Sequence, residues 1–221
     1  MTEELLNEDI QKQVREALDH MHEPVEILFF GTKQDCDYCA DTLQLVDEVS
    51  QLSDKLALRV FDVDEDAGIA EQYQVDKTPG LVIAAKEGEQ TLDYGVRFAG
   101  IPSGHEFSSL IQGLILVSGR DSGLDQETRQ LLGELKDPVL LQVFVTPTCP
   151  YCPQAVVKAH QMALESPLVE AEMVEAMEFQ ELSQRYGVSG VPQTTINAGA
   201  GTVVGAVPEQ QLMAEIQNAL R

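Results

Sequence analysis

Apolar residues at spacings of three and four, Leu6, Ile10, Val14, Ala17 and Met21, alternate with charged ones and predict an amphipathic helix over residues 2–22 that stops before Pro24. Then Val25, Ile27, Leu28, Phe29 and Phe30 make a near-continuous apolar run, the pattern of a strand covered on both faces. A loop over 31–35 follows. Leu45, Val49 and Leu52 give a helical stripe, 57–63 reads as a second strand and 67–73 as a short helix, so the order is that of a βαβ unit. Farther on, 81–85 and 91–98 flank the turn Glu87-Gly88-Glu89 as a hairpin, and a helix from 106 to about 117 closes the series.

The second half runs through the same order. Leu124, Thr128, Leu131, Leu132 and Leu135 predict a helix, Asp137-Pro138-Val139 echoes Glu23-Pro24-Val25, and 140–145 is again an apolar strand. A shorter hairpin over 194–196 and 203–204, turning at Gly199 to Gly201, precedes a last helix over 209–220. A shift of 113 residues carries Cys36 to Cys149, Asp62 to Glu175, Tyr73 to Tyr186, Val75 to Val188 and Pro79 to Pro192. Such self-similarity predicts two units, divided at the polar, glycine-bearing stretch 118–123: residues 1–118 and 119–221. At 221 residues, with 43% hydrophobic, each unit has enough apolar mass for a core of its own, and the longest apolar run is too short to span a bilayer.

All four cysteines fall in two Cys-x-x-Cys motifs, Cys36-Asp37-Tyr38-Cys39 and Cys149-Pro150-Tyr151-Cys152. A dithiol at i, i+3 closes into a small ring when it opens a helix, where unpaired backbone N–H groups face the first sulfur and stabilise a thiolate. Zinc ligation is disfavoured because paired zinc motifs sit closer in sequence than Cys39 and Cys149 do. With no signal-like opening segment and no cysteine outside the motifs, the chain is expected to be cytoplasmic, where such a motif is redox-active rather than structural. The net charge of −23, from 37 acidic and 14 basic residues, argues against nucleic acid or an anionic membrane as partner. It suits solubility, or a salty interior.

The helix-initiating motifs, the βα units, the Tyr-x-Val-x-x-x-Pro segments and the closing hairpin and helix resemble the α/β thioredoxin fold, twice in tandem, each unit a mixed central sheet flanked by helices. Cys149-Pro150-Tyr151-Cys152 matches the glutaredoxin tetrapeptide. The whole chain is similar to the glutaredoxin-like protein disulfide oxidoreductases of archaea and bacteria. That resemblance implies that Cys36 and Cys149 attack a target disulfide as thiolates while Cys39 and Cys152 resolve the mixed disulfide. It also implies that Thr78-Pro79 and Val191-Pro192 are cis-proline positions that bind extended substrate. Protein disulfides would be reduced, formed or isomerised. No cofactor is expected to be bound; electrons would come from a thioredoxin-reductase-like flavoprotein. The alternatives are an electron-relay module for a peroxiredoxin-type peroxide-reducing system and a chaperone-like binding protein.

Departures from the pattern shape the remaining expectations. The buried acid that thioredoxins carry six residues before the first cysteine is replaced by Phe30 and Val143, leaving Asp62 and Glu175 as candidate proton acceptors. No clear Gly-Gly-x-Asp follows Gly190-Val191-Pro192, so glutathione is not expected as an obligate cofactor. His20, His22, His105 and His160 are read as surface or cap residues, and Tyr38 and Tyr151 as structural or surface elements of the motif loops. Asp35 and Asp37 flank Cys36, whereas Thr148 and Pro150 flank Cys149, so Cys149 is expected to be the more acidic thiol. The two dithiols are expected to be independent, each on a sheet of its own.

Overall fold

The computed structural model describes residues 4–221. In the first half the elements are α1 (Glu8–Leu18), β1 (Val25–Gly31), α2 (Cys39–Ser50), β2 (Leu56–Asp62), α3 (Ala67–Gln72), β3 (Gly80–Glu87), β4 (Gln90–Ala99) and α4 (Glu106–Gly119). In the second they are α5 (Gln126–Gly133), β5 (Val139–Val145), α6 (Cys152–Glu165), β6 (Val169–Glu175), α7 (Gln180–Arg185), β7 (Gln193–Ile196), β8 (Gly201–Val204) and α8 (Glu209–Ala219), with a short 3₁₀ turn at Asn197–Gly199. The first helix is shorter than its apolar periodicity. Asn7 caps it by accepting the Ile10 N–H at 3.0 Å, and Leu6 and Met21 are buried from outside the helix. The predicted start at Thr2 lies outside the described residues.

The expectation of two separate sheets is corrected. All eight strands form one sheet in the order β2-β1-β3-β4-β6-β5-β7-β8, each half supplying four. The join is a parallel pairing of β4 with β6, from Val96 opposite Ala171 to Ala99 opposite Val174. Left separate, β4 and β6 would each present an unpaired row of N–H and C=O groups; joined, they satisfy one another. Val96, Phe98, Ala99, Ala171, Met173 and Val174 are consequently buried at the seam. The two units are thus a continuous body, and the stretch 118–123 does not behave as a loose linker. Helix α4 continues to Gly119, the buried Ser118 Oγ accepts the His22 and Glu23 N–H groups, and the buried Ser122 donates to Glu165.

Strand directions decide where the chemistry lies. β1 is parallel to β2 and antiparallel to β3, which is antiparallel to β4; β4 is parallel to β6, and β6 to β5. β1 and β5 therefore point the same way, and both cysteine motifs emerge at one edge of the sheet. Four strand spacings separate them, roughly 19 Å. One face of the sheet carries the main core under α1, α2, α4, α5, α6 and α8 and includes Cys39, Cys149 and Cys152. The opposite face holds two small clusters, Leu28, Phe30, Phe61 and Tyr73 beside α3, and Phe144 and Val174 beside α7. Among the described residues, no helix is long and apolar enough to cross a membrane.

Candidate active site

Each motif closes a disulfide, Cys36–Cys39 and Cys149–Cys152, both with Cα atoms 5.5 Å apart. The second cysteine, rather than the first, opens the helix. Cys39 and Cys152 are the first residues of α2 and α6, with Tyr38 and Tyr151 at the cap positions, so the first cysteines lie in the turn that the unpaired N–H groups face. Pro153 sits in the first turn of α6, where its missing N–H costs nothing. The requirement for an exposed first sulfur is met unequally: Cys36 is half-buried, while Cys149 is 7% exposed and Cys152 fully buried.

Thr78–Pro79 and Val191–Pro192 are both cis. Sheet register puts them at the dithiol edge, because Gly80 pairs with Phe30 and Gln193 with Phe144, the strands that lead into the motifs. The two sites repeat each other further. The Pro79 carbonyl accepts the Gly100 N–H at 2.8 Å, and the Pro192 carbonyl accepts the Gly205 N–H at 2.8 Å. Both glycines have φ near +90°, a conformation open to residues without a Cβ.

Counting back six residues misplaces one position. Phe30 belongs to the cluster on the far face; Phe29 shares the face with Cys39, as Val143 does with Cys149 and Cys152. The loop from β1 to Cys36 is one residue longer than that from β5 to Cys149, so a fixed shift of 113 crosses the sheet. Both cysteine-facing positions are still apolar. Asp62 ends β2 opposite Gly31, where a Cβ would stand 3.4 Å from Cys39 Sγ. Its carboxylate is engaged in accepting the Asp64 and Glu65 N–H groups, with Lys33 Nζ at 3.9 Å. Glu175 ends β6 opposite Val145 and is 3% exposed; its Oε2 accepts the Glu178 N–H at 2.6 Å and burial raises its pKa. Glu178 in turn accepts the Ile101 N–H at 2.7 Å, and burial together with the neighbouring Glu175 pushes it to about 7.

A third carboxyl is not singled out by the sequence. Glu106, the first residue of α4, is 1% exposed; Ser109 donates to its Oε2 at 2.6 Å, and Oε1 has no hydrogen-bond partner among the described residues. Burial raises its pKa to about 7. Helices α4 and α6 both start at the dithiol edge and run parallel, with the Cβ position of Gly113 3.9 Å from His160 Nδ1. Seven residues, two turns, before Gly113 and His160, Glu106 and Pro153 stand in the opening turns of α4 and α6. A direct tether agrees: the His105 N–H donates to the Pro147 carbonyl, two residues before Cys149, at 2.9 Å. The sequence signal is a glutamate opening an otherwise apolar helix, which reads equally as an ordinary N-terminal acid.

The reading of the histidines as surface residues holds for His20, His22 and His105 but not for His160, which is completely buried. Its Nε2 lies 3.1 Å from the Arg97 carbonyl, its ring packs edge-on to Phe98, and burial lowers its pKa to about 4, so it stays neutral. It is buried because α6 packs against β4 and α4 across the seam between halves. Tyr38 and Tyr151 are exposed, 44% and 66%. Among the described residues, no three potential ligands converge as a metal site.

Paired Cys-x-x-Cys disulfides at helix starts on a thioredoxin-type sheet define a dithiol–disulfide oxidoreductase. Residues 139–218 match the thioredoxin domain model. A protein disulfide oxidoreductase from Aeropyrum pernix K1 superposes with a TM-score of 0.87 at 32% identity, covering 96% of this chain and 92% of its own. The N-terminal domain of alkylhydroperoxide reductase AhpF from Enterococcus faecalis gives 0.86 at 25% identity over 96% of this chain and 99% of that one. The alkyl hydroperoxide reductase AhpF of Staphylococcus aureus is 28% identical over 87% of this chain, and the match spans 34% of that protein's length. The chain belongs to the protein disulfide oxidoreductase family, a tandem thioredoxin-fold enzyme with redox-active cysteine pairs.

Proposed function

We propose that residues 1–118 and 119–221 each carry one working dithiol, and that both act on disulfides of polypeptides. Cys36 or Cys149, as thiolate, attacks one sulfur of the substrate disulfide, forming a mixed disulfide and releasing the other substrate sulfur as a thiolate. Cys39 or Cys152 then loses its proton and attacks the first cysteine, expelling the second substrate thiolate. The substrate gains two electrons and the motif closes to the disulfide seen here. Thr78-Pro79 and Val191-Pro192 flank the incoming chain. Run backwards, the same steps form or rearrange disulfides.

The observation that carries this reading is the placement of both motifs at one sheet edge beside matching cis-proline segments. At the second site, Glu106 has the burial, the free oxygen and the raised pKa suited to taking the Cys152 proton near pH 7, with Glu175, which likewise has an unpartnered Oε1 and a pKa raised by burial, the second candidate. At the first site, Asp62 and solvent share that role. Oxidised protein must be recharged by a partner, a thioredoxin-reductase-like flavoprotein in the cytoplasm; no nucleic acid or membrane is involved. The test is insulin-disulfide reduction by the wild type and by a variant with serine at both 36 and 149. The variant should lose all activity; retention of a tenth or more would overturn the assignment.

Likeness to AhpF supports a second reading, electron relay from a flavoprotein to a peroxide-reducing peroxiredoxin. Reduced protein should then re-reduce an oxidised peroxiredoxin faster than insulin.

A further inference from the structure

An apolar pocket of about 400 Å³ lies between the two dithiols. Leu5, Leu6, Ile10, Leu45, Ile101 and Phe107 line it. One wall is the first turn of α2, where Asp41 follows Cys39 by two residues. The opposite wall is the segment ending in Gly104, whose Cβ position falls against the Pro147 carbonyl oxygen, two residues before Cys149. Among the described residues of the lining, Asp41 is the one charged side chain, and Leu5 at the rim is 45% exposed. An apolar concavity held between two reactive motifs does not follow from the exchange chemistry itself, which needs only access to sulfur.

We propose that this pocket is a docking site for a large apolar side chain of the substrate polypeptide while its disulfide exchanges at Cys36. The inference rests on the protein-disulfide reading above. A substrate sulfur that reaches Cys36 brings its own backbone across the first turn of α2. At about 3.3 Å per residue of extended chain, a side chain two to four residues from the substrate cysteine falls over the pocket. Asp41, with Asp35 and Asp37 beside Cys36, favours a basic neighbour and disfavours an acidic one. The substrate class is therefore an extended or unfolded segment with a leucine- or phenylalanine-sized residue and a basic residue close to its cysteine. Small disulfides have nothing to place there.

The test uses the full chain with Cys149→Ser and Cys152→Ser, chemically reduced, so that only the Cys36–Cys39 dithiol reacts. Single-turnover rate constants are measured for hydroxyethyl disulfide and for two peptide disulfides that differ only in leucine or serine three residues from the cysteine. The leucine peptide should react about tenfold faster than the serine peptide, since burying such a side chain is worth at least that in affinity. Leu5→Asp, at an exposed rim position that folding tolerates, should slow the leucine peptide about fivefold or more and leave the other two within twofold. Equal rates for both peptides, or equal slowing of all three substrates by Leu5→Asp, would overturn the pocket. A concentration-dependent dimer dispersed by Leu5→Asp would assign it to a second copy of the chain and overturn it as well. Failure of all three disulfides to react would instead defeat the protein-disulfide reading.

Discussion

Replacing Glu106 with glutamine removes a charge while keeping shape and the hydrogen-bonding contact to Ser109. Its carboxyl rises from 4.5 to about 7 because it is desolvated, 1% exposed, with one oxygen unpartnered. Below pH 4.5 the group is neutral whether the chain is folded or unfolded, and the substitution should be nearly neutral. Between 4.5 and 7 the folded state retains the proton while the unfolded state releases it, so the wild type loses stability as pH rises, and above 7 the loss is complete. At one decade per 1.36 kcal/mol that loss is about 3 kcal/mol. Glu106→Gln should therefore match the wild type in guanidinium unfolding at pH 4.5 and exceed it by up to about 3 kcal/mol at pH 8. The other raised carboxyls, Glu170, Glu175 and Glu178, titrate in both proteins and cancel. In a background with Cys36 and Cys39 both serine, the same substitution should slow closure of the second disulfide about a hundredfold near neutral pH and abolish an inflection near 7 in its rate profile. With only the first motif intact, it should change nothing. Equal stability effects at both pH values, or an unchanged rate profile, would refute the assignment of Glu106 as a buried acceptor for the Cys152 proton.

Alkylation of variants retaining one motif each should proceed at lower pH for Cys149 than for Cys36, because Asp35 and Asp37 disfavour a thiolate at the first site; the opposite order would show that the burial of Cys149 outweighs local charge. A bulky maleimide should nevertheless label the half-buried Cys36 faster than the 7%-exposed Cys149 once both are fully ionised, as mass spectrometry of labelled peptides will report. Phenylalanine at Tyr38 or Tyr151, both exposed, should retain most insulin-reductase activity, and a hundredfold loss would give the phenols a role in proton transfer. Fully reduced protein should titrate four thiols per chain and carry no stoichiometric zinc, measured by thiol reagent and by elemental analysis.

Much of the architecture was legible because it is written in local periodicity. Helical stripes marked α1, α2 and α5; apolar runs marked β1 and β5; and the prolines and glycines that punctuate them set the hairpins. The repeat placed both motifs and both cis-prolines in corresponding positions, since a duplicated chain folds twice under the same local rules. What tertiary structure alone decided depends on surfaces that meet across the repeat. Whether β4 would pair with β6 is not encoded in either strand's own pattern, because an edge strand and a seam strand have the same alternation until a partner arrives. That pairing aligned both dithiols on one edge, buried His160 against β4, and laid α4 of the first half along α6 of the second. Glu106 became a buried acid only through that packing: a glutamate in the first turn of a helix is ordinarily solvated, and its pKa is set by what covers it. The one-residue difference between the loops preceding Cys36 and Cys149 moved the cysteine-facing position from Phe30 to Phe29, because side chains alternate faces along a strand and a single-residue slip reverses them.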